Sequence, residues 1–379
     1  WVARMIMAGV EYRKEVPFKN VYLTGIVRDK IGRKMSKSLG NSPDPLELIE
    51  KFGADGVRVG MLLTSPAGND LPYDDSLCEQ GRNFSNKIWN AFRLVKGWSV
   101  DDRKQPASSA AAVAWLESRV QRATTEIDGL FTQFRISEAL MATYKLIWDD
   151  LCSWYLESIK PAFVNGVGEP IDRTTYEATL SLFEEMMKLL HPFMPFLSEE
   201  LWHLLRDRKE GDDIIIANWP AKGNGDLKLE GEMQHAFDLI SAVRNTRNER
   251  GMSPKEALDV QVKGVAPMRG SVASLVNKLA NVGAITSVEK AGEGSITFLV
   301  GTTEYAVDLG GNIDTEAEVK KAEAELTHLR GFLASVEKKL GNERFVNGAP
   351  PAVLENERKK KADAEAKIKT LEERLVVLK

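Results

Sequence analysis

The chain has 379 residues, with 51 Lys and Arg against 55 Asp and Glu, four His and two Cys. A formal net charge of −4 argues against a surface coated in positive charge, and two cysteines cannot form a disulfide framework or a Cys-based zinc site. No apolar run approaches the roughly 20 residues of a membrane span. We therefore expect a multidomain cytoplasmic protein with no membrane partner and no bound metal.

Residues 1–72 predict a mixed α/β region. The β-branched and aromatic run Val21–Val27 predicts a buried strand, and a basic loop follows at Asp29–Asn41. Asp44 suits the N-cap of the next helix and Pro45 its first helical position. Because the chain starts at Trp1 within an apolar run, we expect it to be a piece of a longer protein.

Residues 73–225 predict a bundle of about five helices, from apolar positions spaced three and four apart. A strand is predicted near the end of this region, at Asp212–Trp219. Residues 226–311 predict a small α+β connector with Gly-rich turns and four short strands, at 259–263, 285–289, 296–300 and 305–309. The fold class is thus multidomain and mainly α.

Residues 312–379 have the clearest periodicity. Apolar residues from Val319 to Leu340 alternate spacings of three and four, and the series resumes after a Gly/Pro-rich segment at 341–351. This predicts an antiparallel coiled coil, with a dimerising coiled coil as the alternative.

The segment Gly32-Arg-Lys-Met-Ser-Lys-Ser-Leu-Gly-Asn41 is the motif that most clearly points to chemistry. Two lysines, Lys34 and Lys37, flank hydroxyl side chains in a loop between a strand and a capped helix. Such a loop can close over a polyphosphate and neutralise charge on a leaving group. The alternative is a solvated, lysine-rich surface loop.

The run Lys34-Met-Ser-Lys-Ser38 resembles the second signature motif of the class I aminoacyl-tRNA synthetases. Further segments resemble the valine-specific subfamily, among them Trp1-Val-Ala-Arg-Met-Ile6 and Arg344-Phe-Val-Asn-Gly-Ala-Pro350. The run His191-Pro-Phe-Met-Pro-Phe-Leu-Ser-Glu-Glu-Leu-Trp202 resembles a segment that the valine, isoleucine and leucine enzymes share. The resemblance implies that 1–72 is the end of a Rossmann-like catalytic domain, 73–225 an anticodon-binding bundle and 312–379 a tRNA-binding arm.

The resemblance also implies the roles of the motif residues. Lys34 and Lys37 would be catalytic and would stabilise the pyrophosphate end of ATP, which enters with Mg²⁺. The ATP-binding residues would be Lys34, Met35, Ser36, Lys37 and Ser38. Trp1 would form a wall of the valine pocket, with a plain core position as its alternative. Asp55 and Arg58 are expected to form a structural helix cap and an ion pair.

The first signature motif of the family, His-x-Gly-His, does not occur in the chain. The resemblance places it, with the editing domain, before Trp1, so we expect this chain alone to be inactive. We also expect the protein to be a monomer. The complete enzyme would activate valine with ATP and transfer it to tRNA(Val). The alternatives are part of an isoleucine or leucine enzyme, or a non-enzymatic tRNA-binding factor.

The candidate tRNA contacts lie in two basic segments. In the first, Arg82, Lys87 and Asn90 would meet the anticodon, with base stacking either lost, since Leu94 stands where the family sometimes has an aromatic residue, or supplied by Phe92. The alternative is a solvated polar helix face. In the second, the arm would contact tRNA through Arg358, Lys359 and Lys360. A third stripe, formed by Arg244, Arg247 and Arg250, predicts either a phosphate track or intrahelical ion pairs.

Overall fold

The computed structural model describes residues 1–63, 68–164, 166–266, 268–292, 295–308, 315–342, 345 and 350–378. The chain is mostly helical, at 62%, and its largest sheet has four strands. It divides into two compact units, Trp1–Leu227 and Lys228–Lys379. In the described ranges, no helix has the length and apolar character needed to cross a lipid bilayer.

The first unit is built mainly of helices, with short two-stranded ladders between them. Its helices are α1 (Val2–Ala8), α2 (Pro45–Phe52), α3 (Ala54–Leu63), α4 (Asp75–Lys96), α5 (Ala107–Thr132), α6 (Ile136–Lys145), α7 (Leu156–Ile159), α8 (Arg173–Leu190) and α9 (Pro195–Leu205). Its strands are β1 (Val27–Arg28), β2 (Leu71–Pro72), β3 (Val100–Asp101), β4 (Phe163–Val164), β5 (Val167–Gly168) and β6 (Ile171–Asp172). A π-helical turn continues α1 over Gly9–Arg13, and a π-helix over Leu146–Tyr155 joins α6 to α7.

The strand predicted at Val21–Val27 is wrong for most of its length. The described ladder is limited to Val27–Arg28, which pairs in parallel with Leu71–Pro72. Val21 is 51% exposed and Leu23 is 66% exposed, so the run is not buried. The physical reason is that, among the described residues, 21–26 have a neighbouring backbone on one side, through bonds such as Leu71 N–H to the Ile26 carbonyl, and only at Val27 does the Met35 N–H bond from the other side.

The predicted start of α2 is confirmed. The Asp44 side chain accepts the Leu46 N–H at 2.9 Å, and Pro45 occupies the first helical position. These two residues favour the helix start because Asp satisfies a free N–H and Pro has none to satisfy.

The strand predicted at Asp212–Trp219 is also wrong. A 3₁₀ turn forms at Ile214–Ile216, with Ile214 buried and the next two isoleucines exposed. Backbone donors here bind groups other than a neighbouring strand, since Ile214 N–H donates to Glu199 at 3.0 Å and Ala217 N–H to the Ile214 carbonyl at 3.0 Å. The segment therefore needs no partner strand.

Helices α3 and α4 cross at unusually short distance because glycines face each other. A Cβ placed on Gly81 would lie 2.2 Å from the Gly56 carbonyl oxygen. This contact packs α3, the second helix after the lysine-rich loop, directly against α4, the first long helix of the predicted bundle. The buried core of that helical region includes Phe84, Leu116, Ile127, Tyr155 and Phe183.

The second unit contains a four-stranded sheet and four helices among the described residues. Its elements are α10 (Leu227–Glu249, whose first residue belongs to the first unit), β7 (Leu258–Lys263), α11 (Gly270–Ala280), β8 (Val282–Val288), β9 (Ser295–Val300), β10 (Thr303–Asp308), α12 (Thr315–Leu340) and α13 (Pro351–Leu378). The strand order is β8-β7-β10-β9, with β7 and β8 parallel and the other pairs antiparallel. The strands lie where the sequence predicts them.

Helices α12 and α13 form an antiparallel pair. Leu326, Leu371 and Leu375 are buried between them, and ion pairs such as Lys361–Glu337 at 2.9 Å and Arg330–Glu372 at 2.6 Å link the helices. Most of Arg344–Pro350, which carried part of the resemblance, lies outside the described residues, as do the side chains of Ala322 and Leu378.

Candidate functional site

The lysine-rich loop is held by a network of hydrogen bonds around Asp29. Its carboxylate accepts the Arg33 N–H and the Arg33 Nε–H, both at 2.8 Å, and the Ile31 N–H at 3.2 Å. The side chain of Asn41 donates to the same carboxylate at 3.0 Å. Donation by Asn41, together with that by Arg33, lowers the pKa of Asp29 to about 2. The carboxylate is therefore ionised at neutral pH.

The motif runs from that turn into a short 3₁₀ helix, which contains Lys37 and Ser38. The backbone of Lys34 pairs with that of Arg28 in an isolated antiparallel β-bridge. The Ser36 side chain caps the 3₁₀ helix Lys37–Leu39 by accepting the Leu39 N–H at 3.3 Å. The hydroxyl oxygens of Ser36 and Ser38 lie 3.1 Å apart. The five motif residues thus follow a defined backbone path.

Met35 anchors the loop to the interior. Its side chain packs against a buried cluster formed by Phe52, Tyr73 and Cys78. Its neighbours Lys34 and Lys37 are exposed. The loop therefore half-buries Met35 and presents both motif lysines to solvent.

The basic side chains of this segment fall into two groups. Three of them are paired with carboxylates: Arg28 with Asp70, Lys30 with Asp74, and Arg33 with Asp29. For Lys34 and Lys37, no ion pair is found with any residue that the structure describes. Two positive charges therefore remain available to an anion, and they belong to the two motif lysines.

Trp1 is 87% exposed in this chain. Its indole ring lies under the guanidinium of Arg4, with 5.2 Å between the Arg4 Cζ and the ring centroid. The rest of the ring is open to solvent. Such a flat apolar surface can form one wall of a pocket.

The predicted contact residues of helix α4 have different surroundings. The Lys87 ammonium lies 3.7 Å from the centroid of the Trp148 ring, a cation–π contact, while Asn90 is exposed. Arg82 pairs with Glu79 at 3.2 Å. Its guanidinium also lies 5.8 Å from the ring of Phe52, so it faces α2 and not the Lys87 side chain. The helix therefore presents Asn90 to solvent and holds the other two side chains.

The prediction that Phe92 stacks on a base is wrong for this chain. It is buried, and its ring packs 5.6 Å from that of Trp89. A stacking surface must be exposed on one face, and Phe92 has none to offer.

The expected ion pair of Asp55 and Arg58 is replaced by bonds to other partners. Asp55 does cap a helix, but it is α9 and not its own: the carboxylate accepts the Leu197 N–H at 2.7 Å and the Phe196 N–H at 3.4 Å. Arg58 donates to the carbonyls of Phe193 and Pro192 at 3.0 and 3.1 Å. The run that begins at His191 therefore has a structural role, since it is hydrogen-bonded to α3.

Both interpretations of the arginine stripe on α10 are wrong for Arg247. This side chain is 3% exposed and donates to the carbonyls of Ser253, Ala280 and Asn281 at 3.0 to 3.2 Å. Arg244 donates to the Leu279 carbonyl at 2.8 Å. Two of the arginines thus cap the carboxyl end of α11, where positive charge is stabilising. Arg250 also has interactions within the chain.

The basic cluster on α13 is divided in the same way. Lys360 pairs at 2.6 Å with Glu357, which is 6% exposed and lies 3.7 Å from Lys339. Arg358 and Lys359 are exposed, and no carboxylate in the described parts of the chain pairs with either. The structure therefore presents these two charges to solvent and ties the third to the helix pair.

Sequence reasoning missed the residues that hold the site together. Asp29 and Asn41 brace the loop, and the turn signal of an Asp three residues before Gly32 indicates the first of them. Sequence reasoning also missed a cluster of Glu199, His203 and Asp213. The His203 Nε2 lies 3.3 Å from Glu199 and 3.2 Å from Asp213, so the three groups satisfy one another.

Three family models match the chain. They are tRNA synthetases class I (I, L, M and V) over residues 1–74, the anticodon-binding domain of tRNA ligase over residues 114–262, and the valyl tRNA synthetase tRNA binding arm over residues 314–379. Helix α4, with its predicted tRNA contacts, lies between the first two matches.

Curated relatives match over the full chain. Valine–tRNA ligase from Phocaeicola vulgatus is 55% identical over 381 residues, which cover 100% of this chain and 43% of the relative. The enzyme of the same name from Parabacteroides distasonis is 54% identical, with 100% and 43% covered. This chain therefore spans less than half the length of these relatives, and the matched share is their C-terminal part.

Among solved structures, a LeuRS from Agrobacterium radiobacter in a ternary complex with tRNA and LeuAMS is similar to the chain. The match has 23% identity and a TM-score of 0.43, and it covers 60% of this chain and 27% of that one.

Proposed function

The chain belongs to the class I aminoacyl-tRNA synthetases and within them to the valine–tRNA ligases, and we propose that it supplies the second ATP-binding loop and the tRNA-binding parts of such an enzyme. The complete enzyme joins the valine carboxylate to the α-phosphorus of ATP and releases pyrophosphate. It then transfers valine from the adenylate to a ribose hydroxyl of the terminal adenosine of tRNA(Val), with release of AMP, in the cytoplasm. ATP enters as its Mg²⁺ complex.

The observation that carries this proposal is the division of charge in the loop. Arg28, Lys30 and Arg33 are neutralised by carboxylates, while Lys34 and Lys37 are exposed and unpaired within the described ranges. Positive charge held close to a departing pyrophosphate lowers the barrier when negative charge develops there. The hydroxyls of Ser36 and Ser38 add donors beside the same lysines, and Met35 fixes the loop to the core.

Trp1 is proposed as one wall of the valine pocket. Its exposed indole offers apolar area at the side opposite the Arg4 guanidinium. A hydrophobic wall distinguishes amino acids that differ by one methylene by only about 1–3 kcal/mol. Such a wall therefore holds valine without excluding near neighbours on its own.

The remaining regions are proposed to hold tRNA(Val) in a monomeric enzyme. The domain division is 1–72, 73–225, 226–311 and 312–379. Helix α4 would meet the anticodon with Asn90 hydrogen-bonding a base edge, while Lys87 and Arg82 supply nearby positive charge. The helix pair of 312–379 is proposed as a coiled-coil arm that touches tRNA through Arg358 and Lys359, with Lys360 tied to Glu357.

Pyrophosphate exchange tests the assignment of the loop. A polypeptide of the relatives' full length that contains this chain is compared with its Lys34→Ala and Lys37→Ala variants. We expect kcat for valine-dependent exchange to fall about 100-fold in each, the usual effect of removing one transition-state donor. Lys30→Ala is the matched control, because Lys30 pairs with Asp74 at 2.9 Å, and should leave kcat within about twofold.

Unchanged kcat in both motif variants would show that the loop lysines have no catalytic part. The chain by itself is expected to give no exchange above background, since it contains no His-x-Gly-His run. Binding of purified tRNA species to the chain tests the remaining parts. Equal affinity for valine-accepting and other tRNAs would contradict recognition of the anticodon.

A further inference from the structure

The side-chain amide of Asn41 bonds to the backbone at Lys34 and at Ser36, the first and third residues of the motif. Its Oδ1 accepts the Ser36 N–H at 2.9 Å, and its Nδ2 donates to Asp29 at 3.0 Å. A longer contact runs from the same Nδ2 to the Lys34 carbonyl at 3.4 Å. One half-buried side chain therefore holds the backbone on both sides of Met35.

Asp29 completes this arrangement from the other side. It holds the turn before the motif through the Ile31 N–H and the backbone and side chain of Arg33. Because Asn41 follows the motif and Asp29 precedes it, their hydrogen bond closes a ring that contains Lys34 and Lys37. Neither motif lysine takes part in the ring through its ammonium group.

We propose that Asn41 is a positioning residue for adenylate formation, which fixes the backbone of Lys34–Ser36 and thereby the direction of the Lys34 and Lys37 ammonium groups. The inference rests on the proposed function, since it assigns Asn41 a part in the same reaction. Asn41 acts through the loop backbone and touches no reacting atom. Displacing a transition-state charge by about 1 Å can cost about 100-fold in rate, so a brace of this kind has a measurable effect.

The first test is kinetic and uses the full-length polypeptide. Asn41→Ala should lower kcat for pyrophosphate exchange by about 10-fold to 100-fold, with the KM for valine within about twofold of its original value. Asn20→Ala is the matched control, because Asn20 is exposed and no side-chain bond to it is found among the described residues. It should leave both constants unchanged.

A second variant pair tests the Asn41–Asp29 bond itself. Asn41→Asp places a second carboxylate beside Asp29 and removes the donor, so we expect a larger loss than in Asn41→Ala. In the double variant Asn41→Asp/Asp29→Asn, an amide donor again faces a carboxylate acceptor. We expect its kcat for pyrophosphate exchange to be about tenfold higher than that of Asn41→Asp alone. An additive loss in the double variant would show that the two residues do not act together.

Amide hydrogen exchange on the chain itself gives a readout that needs no catalysis. Exchange over residues 34–40 should accelerate in Asn41→Ala and not in Asn20→Ala. Unchanged kcat in Asn41→Ala beside an active parent would overturn the positioning role alone. If the full-length parent shows no valine-dependent pyrophosphate exchange, the proposed function and the positioning role are overturned together.

Discussion

The carboxylate of Asp55 on α3 accepts the backbone N–H of Leu197 in the first turn of α9, at 2.7 Å. Helix α3 therefore caps a helix that begins some 140 residues later in the chain. One turn further along α3, Arg58 binds the carbonyls of the two residues Pro192 and Phe193. The same helix thus satisfies free donors at the start of α9 and free acceptors in the turn before it.

Replacing Asp55 by Ala should destabilise the first unit by about 1–3 kcal/mol, because two backbone donors lose their acceptor. Burial raises the pKa of Asp55, and the N–H donors of Leu197 and Phe196 oppose that shift. Because these two donors bind different carboxylate oxygens, Asp55→Asn keeps one acceptor and turns an amide N–H towards the other donor, so it should recover only part of the loss.

Tryptophan fluorescence during urea unfolding measures this effect, since all eight tryptophans lie in the first unit. Glu50→Ala, which removes an exposed carboxylate from α2, should change the free energy of unfolding by less than about 0.5 kcal/mol. Equal losses in Asp55→Ala and Glu50→Ala would argue against the cap.

Arg247 should be essential to the second unit, and Arg244 should not be. Removing the Arg247 side chain leaves three carbonyls near the end of α11 without their donor, which should cost about 2–4 kcal/mol. Arg244 is exposed and serves one carbonyl, so Arg244→Ala should cost less than about 1 kcal/mol. Hydrogen exchange of the β7 and β8 amides reports the stability of this unit, which contains no tryptophan. Similar protection in the two variants would refute the distinction.

His235 should make the second unit sensitive to acid. Its Nε2 lies 2.8 Å from the Tyr305 hydroxyl, and burial lowers its pKa, an effect that the nearby Asp238 opposes. The unfolded chain takes up a proton near pH 6.5 and the folded unit only at lower pH. The contribution of His235 to stability is therefore complete above about pH 6.5 and is lost as the pH falls towards the folded pKa.

Amide protection in β10, measured between about pH 7.5 and pH 5, should fall less steeply in His235→Gln than in the parent. Each measurement is corrected for the intrinsic pH dependence of exchange. His328→Gln is the control, because His328 is exposed on α12. Parallel pH curves for the parent and His235→Gln would show that this histidine is not the acid-sensitive group.

Local signals in the sequence predicted the helices and the four strands of the second unit, because caps, breakers and periodicity act within a few residues. The errors arose where distant partners decide. Val21–Val27 has strand composition, but up to Ile26 it has a neighbour on one side among the described residues, and the donors at Ile214 and Ala217 bind Glu199 and the turn itself. Arg247 sits in a basic stripe by sequence, yet carbonyls from another helix bury it. The candidate lysines were predictable because a contiguous motif encodes them, whereas the bond between Asp29 and Asn41 spans twelve residues.

Two adjacent lysines on α13 should differ in their effect on tRNA binding. Lys359 is exposed and free of ion pairs within the described ranges, whereas Lys360 lies 2.6 Å from the buried Glu357. If Lys359 meets a phosphate, Lys359→Ala should reduce the slope of log affinity against log salt by about 1. Lys360→Ala should leave that slope nearly unchanged and should lower the melting temperature of the helix pair, because Glu357 loses the nearer of its two lysine partners. Filter binding of tRNA to the chain across a salt series, with melting followed by circular dichroism, measures both effects. Equal changes of slope for the two variants would show that the ion pair does not divide the cluster.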